Sequence, residues 1–169
     1  METQYRHTQY GALTFIIFLT TGILIIVVAL TKVAEGQMLS AILMICLYLL
    51  GIGMFYSFTV EISDGNLKFW FGIGIVRKKC ALSEVQSIKE VKNPWYYFWG
   101  VKSIPGGWYY AIAPGPAVEI ELKNGKIIQL GTNQPEMLKQ AIDAAKQRAS
   151  KKRLHHKSEE IQKKTSNNQ

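Results

Sequence analysis

The side chains that could do chemistry are few and far apart. The three histidines are His7 near the start and the adjacent His155-His156 near the end. Neither position is framed by a carboxylate and a nucleophile, and neighbours on a helix point to different sides, so no catalytic or metal site is expected. Gly72-Ile73-Gly74 lacks the third glycine and the following helix of a dinucleotide loop and reads as a turn. Glu119 and Glu121 fall on one face of an alternating segment, the usual pattern of a wet strand face. Cys46 lies in an apolar run and Cys80 in the polar half, with no disulfide or zinc spacing between them, so both read as small buried side chains. No reaction and no cofactor are implied: the expectation is a non-enzymatic protein.

What remains is chemistry of contact. Trp95, Tyr96, Tyr97, Phe98 and Trp99 follow one another without interruption, and five consecutive rings cannot all enter one small core. Three readings fit: a loop in the lipid headgroup layer, where Trp and Tyr settle well; a loop folded over the domain, burying some rings; or a surface for a protein partner. The cations form the second contact set. Arg77, Lys78 and Lys79 are consecutive, and Lys151, Lys152 and Arg153 belong to a basic tail. Near an anionic leaflet each gains about 1 kcal/mol; the alternative is solvated charge. Nucleic-acid recognition is not expected, because no recognition motif accompanies the charge.

The elements that position these residues begin with the apolar first third. Two runs, 8–31 and 36–60, contain no Asp, Glu, Lys, Arg, His or Pro. Each is long enough for a bilayer core about 30 Å thick, which takes about 20 residues of helix. They predict a transmembrane hairpin over residues 1–57, with spans at about 11–33 and 37–56. Small residues of the second run (Ser40, Cys46, Gly51, Gly53) suit a close face against the first. Of 20 Lys and Arg, 18 lie after Val60, as do 10 of 12 Asp and Glu, so the net +8 belongs to the C-terminal part. The positive-inside bias then puts both termini in the cytoplasm of an inner (plasma) membrane protein, with Tyr5 and Tyr10 near the membrane surface. A cleaved signal peptide fits less well, since the first run exceeds the usual apolar core and no A-x-A-like site follows it.

From Phe58 the periodicity alternates. Phe58, Val60 and Ile62 oppose Thr59, Glu61 and Ser63, and Asp64-Gly65-Asn66 marks a hairpin turn into a strand at 67–71. Further strands are predicted at 75–81, from Val85, at 108–113, at 117–123 and at 126–131, with Asn124-Gly125 as a tight turn. The segment from Asn93-Pro94 to Gly107 is the least regular. Thr132 or Asn133 can cap a final helix whose apolar stripe is Met137, Leu138, Ala141, Ile142 and Ala145. Residues 147–169 are a basic tail, read as frayed helix or disordered.

Seven short strands followed by one amphipathic helix is the order of a pleckstrin-homology-like barrel. The run Gly100–Leu138, with its Gly-rich loop, the Ala117-Val118-Glu119-Ile120 strand, the Asn124-Gly125 turn and the Gly131-Thr132…Pro135-Glu136 helix start, resembles the bacterial PH-like domain family. The resemblance covers about 58–146. It implies an α+β membrane protein in which a two-helix hairpin precedes a seven-stranded β-barrel or sandwich with a C-terminal capping helix. Taken with the apolar hairpin, the aromatic run and the basic tail, the expected function is an adaptor or scaffold that binds a membrane-protein partner or the lipid surface, the alternative being an assembly or regulatory subunit of a larger transporter or enzyme complex. Eukaryotic lipid-binding PH domains place basic residues around the first hairpin. Here Ser63-Asp64-Gly65-Asn66 is short and acidic, so phosphoinositide binding of that kind is not expected.

Overall fold

The structure, a computed structural model, describes the backbone of residues 3–97 and 100–166, and their side chains apart from Thr3, Trp95 and 152–166. Two apolar helices, two antiparallel-rich sheets and a long C-terminal helix make up an α+β chain. Helix α1 (Ala12–Ala34) has 23 residues and α2 (Met38–Phe55) has 18, about 34 and 27 Å of helix. Both are long and apolar enough to cross a membrane, and most of their surface is exposed, so they are not core helices of the β-unit. Their ends agree with the predicted spans to within one residue.

The first strand departs from the sequence reading. Thr3–Gln9 is β1, paired antiparallel with β2 (Phe58–Ser63) from Gln9↔Phe58 to Thr3↔Ser63. The first nine residues therefore belong to the β-unit, and α1–α2 is an insertion between two neighbouring strands. Tyr5, expected near a membrane surface, instead packs against the β-unit core, and Tyr10 alone stays exposed. Antiparallel β1 and β2 make the chain leave and return at the same end. The β-unit thus has a helix end and a far end.

The first sheet is completed by β3 (Asn66–Phe71) and β4 (Arg77–Ala81), in the order β1-β2-β3-β4. Asp64 and Gly65, with φ of 51° and 71°, form the two-residue turn that the Asp-Gly signal predicts. The second sheet has the order β5-β8-β9-β7-β6, with β5 (Val85–Lys92), β6 (Gly100–Ile104), β7 (Gly107–Ala111), β8 (Pro116–Leu122) and β9 (Ile127–Gly131). β7 and β9 run parallel. The described residues thus hold nine strands where seven were expected; β1 and β6 are the additions, and β4 starts two residues later than predicted.

Phe58, Val60, Ile62, Leu67, Phe69 and Phe71 from the first sheet meet Tyr110, Val118, Ile120 and Leu130 from the second. Helix α3 (Pro135–Ser166) closes this core with Leu138, Ile142 and Ala145, while Met137, expected in the same stripe, is exposed. The helix runs on through the basic segment as far as Ser166. The helix starts beside β1, where the Asn133 amide donates to Gln9 Oε1. It then passes Glu90 at Lys139 (3.5 Å) and Gln86 at Lys146. Since β5 runs from the far end to the helix end, α3 runs the opposite way and leaves the β-unit at the far end.

Candidate functional site

The helix end is built from three loops. Gly72–Val76, between β3 and β4, is held on α2: the Gly72 amide donates to Ser57 O (2.8 Å) and the Ile73 amide to Gly53 O (3.0 Å). Gly72 has φ +44°, and a Cβ there would lie 2.0 Å from Gly53 O, so only glycine permits this approach. Ile73 and Ile75 are left 60% and 57% exposed beside the last turn of α2. The second loop, after β7, receives α1: Thr14 Oγ1 donates to Ile112 O at 2.7 Å in a buried contact. The third begins at Asn93, whose amide donates to Gly115 O.

That third loop carries the aromatic run. Trp95–Tyr97 forms one 3-10 turn. Tyr97 packs its ring on Tyr109 (centroids 5.7 Å apart) over the outer face of the second sheet, whereas Tyr96 is exposed. Of the rings singled out from sequence, Tyr97 follows the reading in which the loop folds over the domain, and Tyr96 stays outside. Phe98 and Trp99 lie outside the described residues, as does the side chain of Trp95. Burial pushes the Tyr109 hydroxyl above its ordinary range, against a smaller lowering by a hydrogen bond with Asn93. Burial likewise raises the Cys80 thiol, with the negative charge of Glu84 adding to it. Cys80 is buried, whereas Cys46, read from the sequence as a buried side chain, is exposed on the surface of α2.

The basic residues gather on the outer face of the first sheet. β-register sets Arg6 beside Glu61, Glu61 beside Lys68 and Lys68 beside Lys79; one step toward the helix end, Thr59 pairs with Trp70 and Trp70 with Arg77. Opposed residues share a face, so four strands' worth of sequence meets in one patch. Glu61, Lys68, Trp70, Arg77, Lys78 and Lys79 line a cleft of about 470 Å³; Lys78 alone pairs with an inward residue, Phe69, and so belongs by register to the opposite face. The Arg6 guanidinium lies 5.8 Å from the Trp70 ring centre. Lys68 is engaged internally, by Ser63 Oγ at 2.8 Å and Glu61 at 4.0 Å. Arg6, Arg77, Lys78 and Lys79 make no ion pair among the described residues, and Arg77 Nε donates to Gly74 O within its own loop.

Sequence reasoning found Arg77, Lys78 and Lys79 but missed Arg6, Lys68 and Trp70, which only strand pairing brings to them. Of the other basic candidates, Lys151 does not join the patch. Lys151 lies on α3 beyond Ala145, the last buried residue of that helix among those whose side chains are described, and the side chains of Lys152 and Arg153 lie outside the described residues. Among the described residues no group of His, Cys, Asp and Glu is placed to hold a metal.

Comparisons of the chain with protein-family models, with curated proteins and with solved structures yield no match. The class that fold and surface define is therefore an α+β chain with a two-helix apolar insertion and a basic sheet face.

Proposed function

We propose that this is a non-enzymatic membrane protein in which α1 and α2 span the bilayer and hold a PH-like β-unit against its cytoplasmic surface, as an adaptor whose loops and sheet face contact the lipid. The observation that carries this is the joint between the β3–β4 loop and α2. Exposed Ile73 is fixed by a backbone hydrogen bond to the last turn of an apolar helix, and exposed Ile75 follows it in the same short loop. A lipid-level position lets that apolar surface leave water, at about 25 cal/mol per Å². Tyr10 and Tyr56, whose rings lie 6.4 Å apart at the base of the two helices, suit the headgroup layer, as does exposed Tyr96. The positive-inside rule supports the cytoplasmic assignment: the sheet face is cationic, and the opposite end of the hairpin carries only Lys32, in the last turn of α1 and paired with Glu35.

The test is a spin label at position 73 in a Cys46→Ala background, where the other thiol, Cys80, is buried. With the full-length protein in lipid nanodiscs, the label should be reached by oxygen and shielded from a water-soluble nickel complex. A label at Asn124, at the far end, should show the reverse. A water-exposed label at 73 would sink the proposal. Stoichiometric co-purification of a membrane protein through α1 and α2 would instead assign the chain to an assembly subunit.

A further inference from the structure

We infer that the cleft on the outer face of the first sheet is a binding site for the phosphodiester headgroup of an anionic phospholipid, in the leaflet next to the β-unit. The inference rests on the membrane-surface reading above. Arg77 and Trp70 form the residue pair next to Phe71, after which the chain turns into the loop held on α2. At about 3.3 Å per residue, Arg77 stands within one step of the lipid edge and Lys79 about 7 Å further along. The polar headgroup layer is about 5–7 Å deep on each side, so these cations fall at the depth of lipid phosphates and just above it.

Charge points the same way. On the face that carries Glu61, register places Arg6, Lys68, Arg77 and Lys79 around that single carboxylate, which Lys68 and Ser63 already engage. Lys68 and Lys79 are directly cross-strand, an arrangement that is unfavourable when like charges face each other without an anion between them. A guanidinium with free N–H groups beside an ammonium is a phosphate-binding pair. The floor is the partly exposed ring of Trp70, which suits the glycerol end of a headgroup at the interface. About 470 Å³ is room for one headgroup. The competing account is that β4 is an edge strand and its cations only discourage edge-to-edge pairing. That account requires no ligand.

The experiment uses full-length protein in mixed micelles with equimolar phosphatidylglycerol and phosphatidylcholine, and quantifies the lipid retained after purification. The wild type should retain phosphatidylglycerol in excess. Arg77→Gln with Lys79→Gln should lower that excess on the order of tenfold. Arg6→Gln with Lys79→Gln, which leaves the Arg77–Gly74 bond intact, should lower it similarly, and Lys151→Gln with Lys152→Gln should leave it unchanged. Equal retention of the two lipids by the wild type, with the label at position 73 still lipid-buried, would overturn this inference and leave the surface reading standing. Loss of monodispersity in the sheet variants at unchanged lipid excess would assign the cations to edge protection. Displacement of phosphatidylglycerol by millimolar inorganic phosphate as readily as by added lipid would overturn the lipid source.

Discussion

The Ile73 amide donates to the carbonyl oxygen of Gly53 at 3.0 Å, joining the β3–β4 turn to the last turn of α2. That bond requires the two backbones to touch, which Gly72 permits. Gly72→Ala combines a positive φ with a 2.0 Å approach to Gly53 O, and should cost about 2–4 kcal/mol. Gly65→Ala, at φ +71° with open space around it, carries the backbone strain alone and should cost about 1 kcal/mol. Thermal unfolding of the two full-length variants in one detergent should rank them in that order. Equal losses would mean that the loop does not pack on α2.

The other helix base is fixed by a side chain. Thr14 is buried and its hydroxyl donates to Ile112 O. Thr14→Val keeps the shape and strands a buried carbonyl, which should cost about 1–3 kcal/mol. Thr20, whose hydroxyl only bonds back to Ile16 and Ile17 within exposed α1, should tolerate the same change within about 0.5 kcal/mol. Paired melts of the two variants check this.

Removing residues 2–9 should be far more damaging than removing 152–169. The first deletion strips β1 from β2, uncovers the core around Ile62 and Val60, and removes the Gln9 contacts with Gly131 and Asn133. The second lies beyond Ala145, the last buried residue of α3 among the described side chains. Limited proteolysis should find the first protein degraded throughout and the second protected over the β-unit.

That contrast also marks where the sequence was readable. β2, β3, β8 and β9 alternate apolar and polar residues between Asp-Gly and Asn-Gly turns, a local pattern visible without the fold. β1 hides because its inward positions after Tyr5 are His7 and Gln9, whose polarity is taken up by Asn133 and Gly131, so no apolar alternation appears. Its partner also lies across the whole helical insertion, beyond any local window. The Thr and Tyr content was the available signal. β6, Gly100–Ile104, is a short edge strand opening on glycine. The basic patch was legible only as the run Arg77–Lys79, because Arg6, Lys68 and Trp70 reach it through register.

Alkali should unfold the β-unit through its tyrosines. Burial raises Tyr5, Tyr109 and Tyr110 above the ordinary 10.0. In the unfolded chain these phenols ionise near 10, while the folded state keeps them neutral. Their contribution to stability is therefore fully present below about pH 10 and is lost as pH rises from there through the folded values. Denaturation midpoints of the full-length protein should be flat in these groups from pH 7 to 9 and fall above 10, together with a steep phenolate absorbance. A smooth phenolate titration centred near 10, ahead of unfolding, would show the rings to be solvated.

Tyr5 separates from the other two. Its hydroxyl is buried without a hydrogen-bond partner among the described residues, while its ring packs against the core from β1 beside Ile62. An unpartnered buried hydroxyl costs its desolvation and returns nothing, so Tyr5→Phe keeps the packing and removes the cost. The variant should gain about 1 kcal/mol at pH 8. The gain should widen above pH 10, because the substitution also deletes one of the phenols whose ionisation favours the unfolded chain. Chemical denaturation at pH 8 and 10.5 measures both parts. A variant less stable than wild type at pH 8 would show that the hydroxyl is hydrogen-bonded in solution.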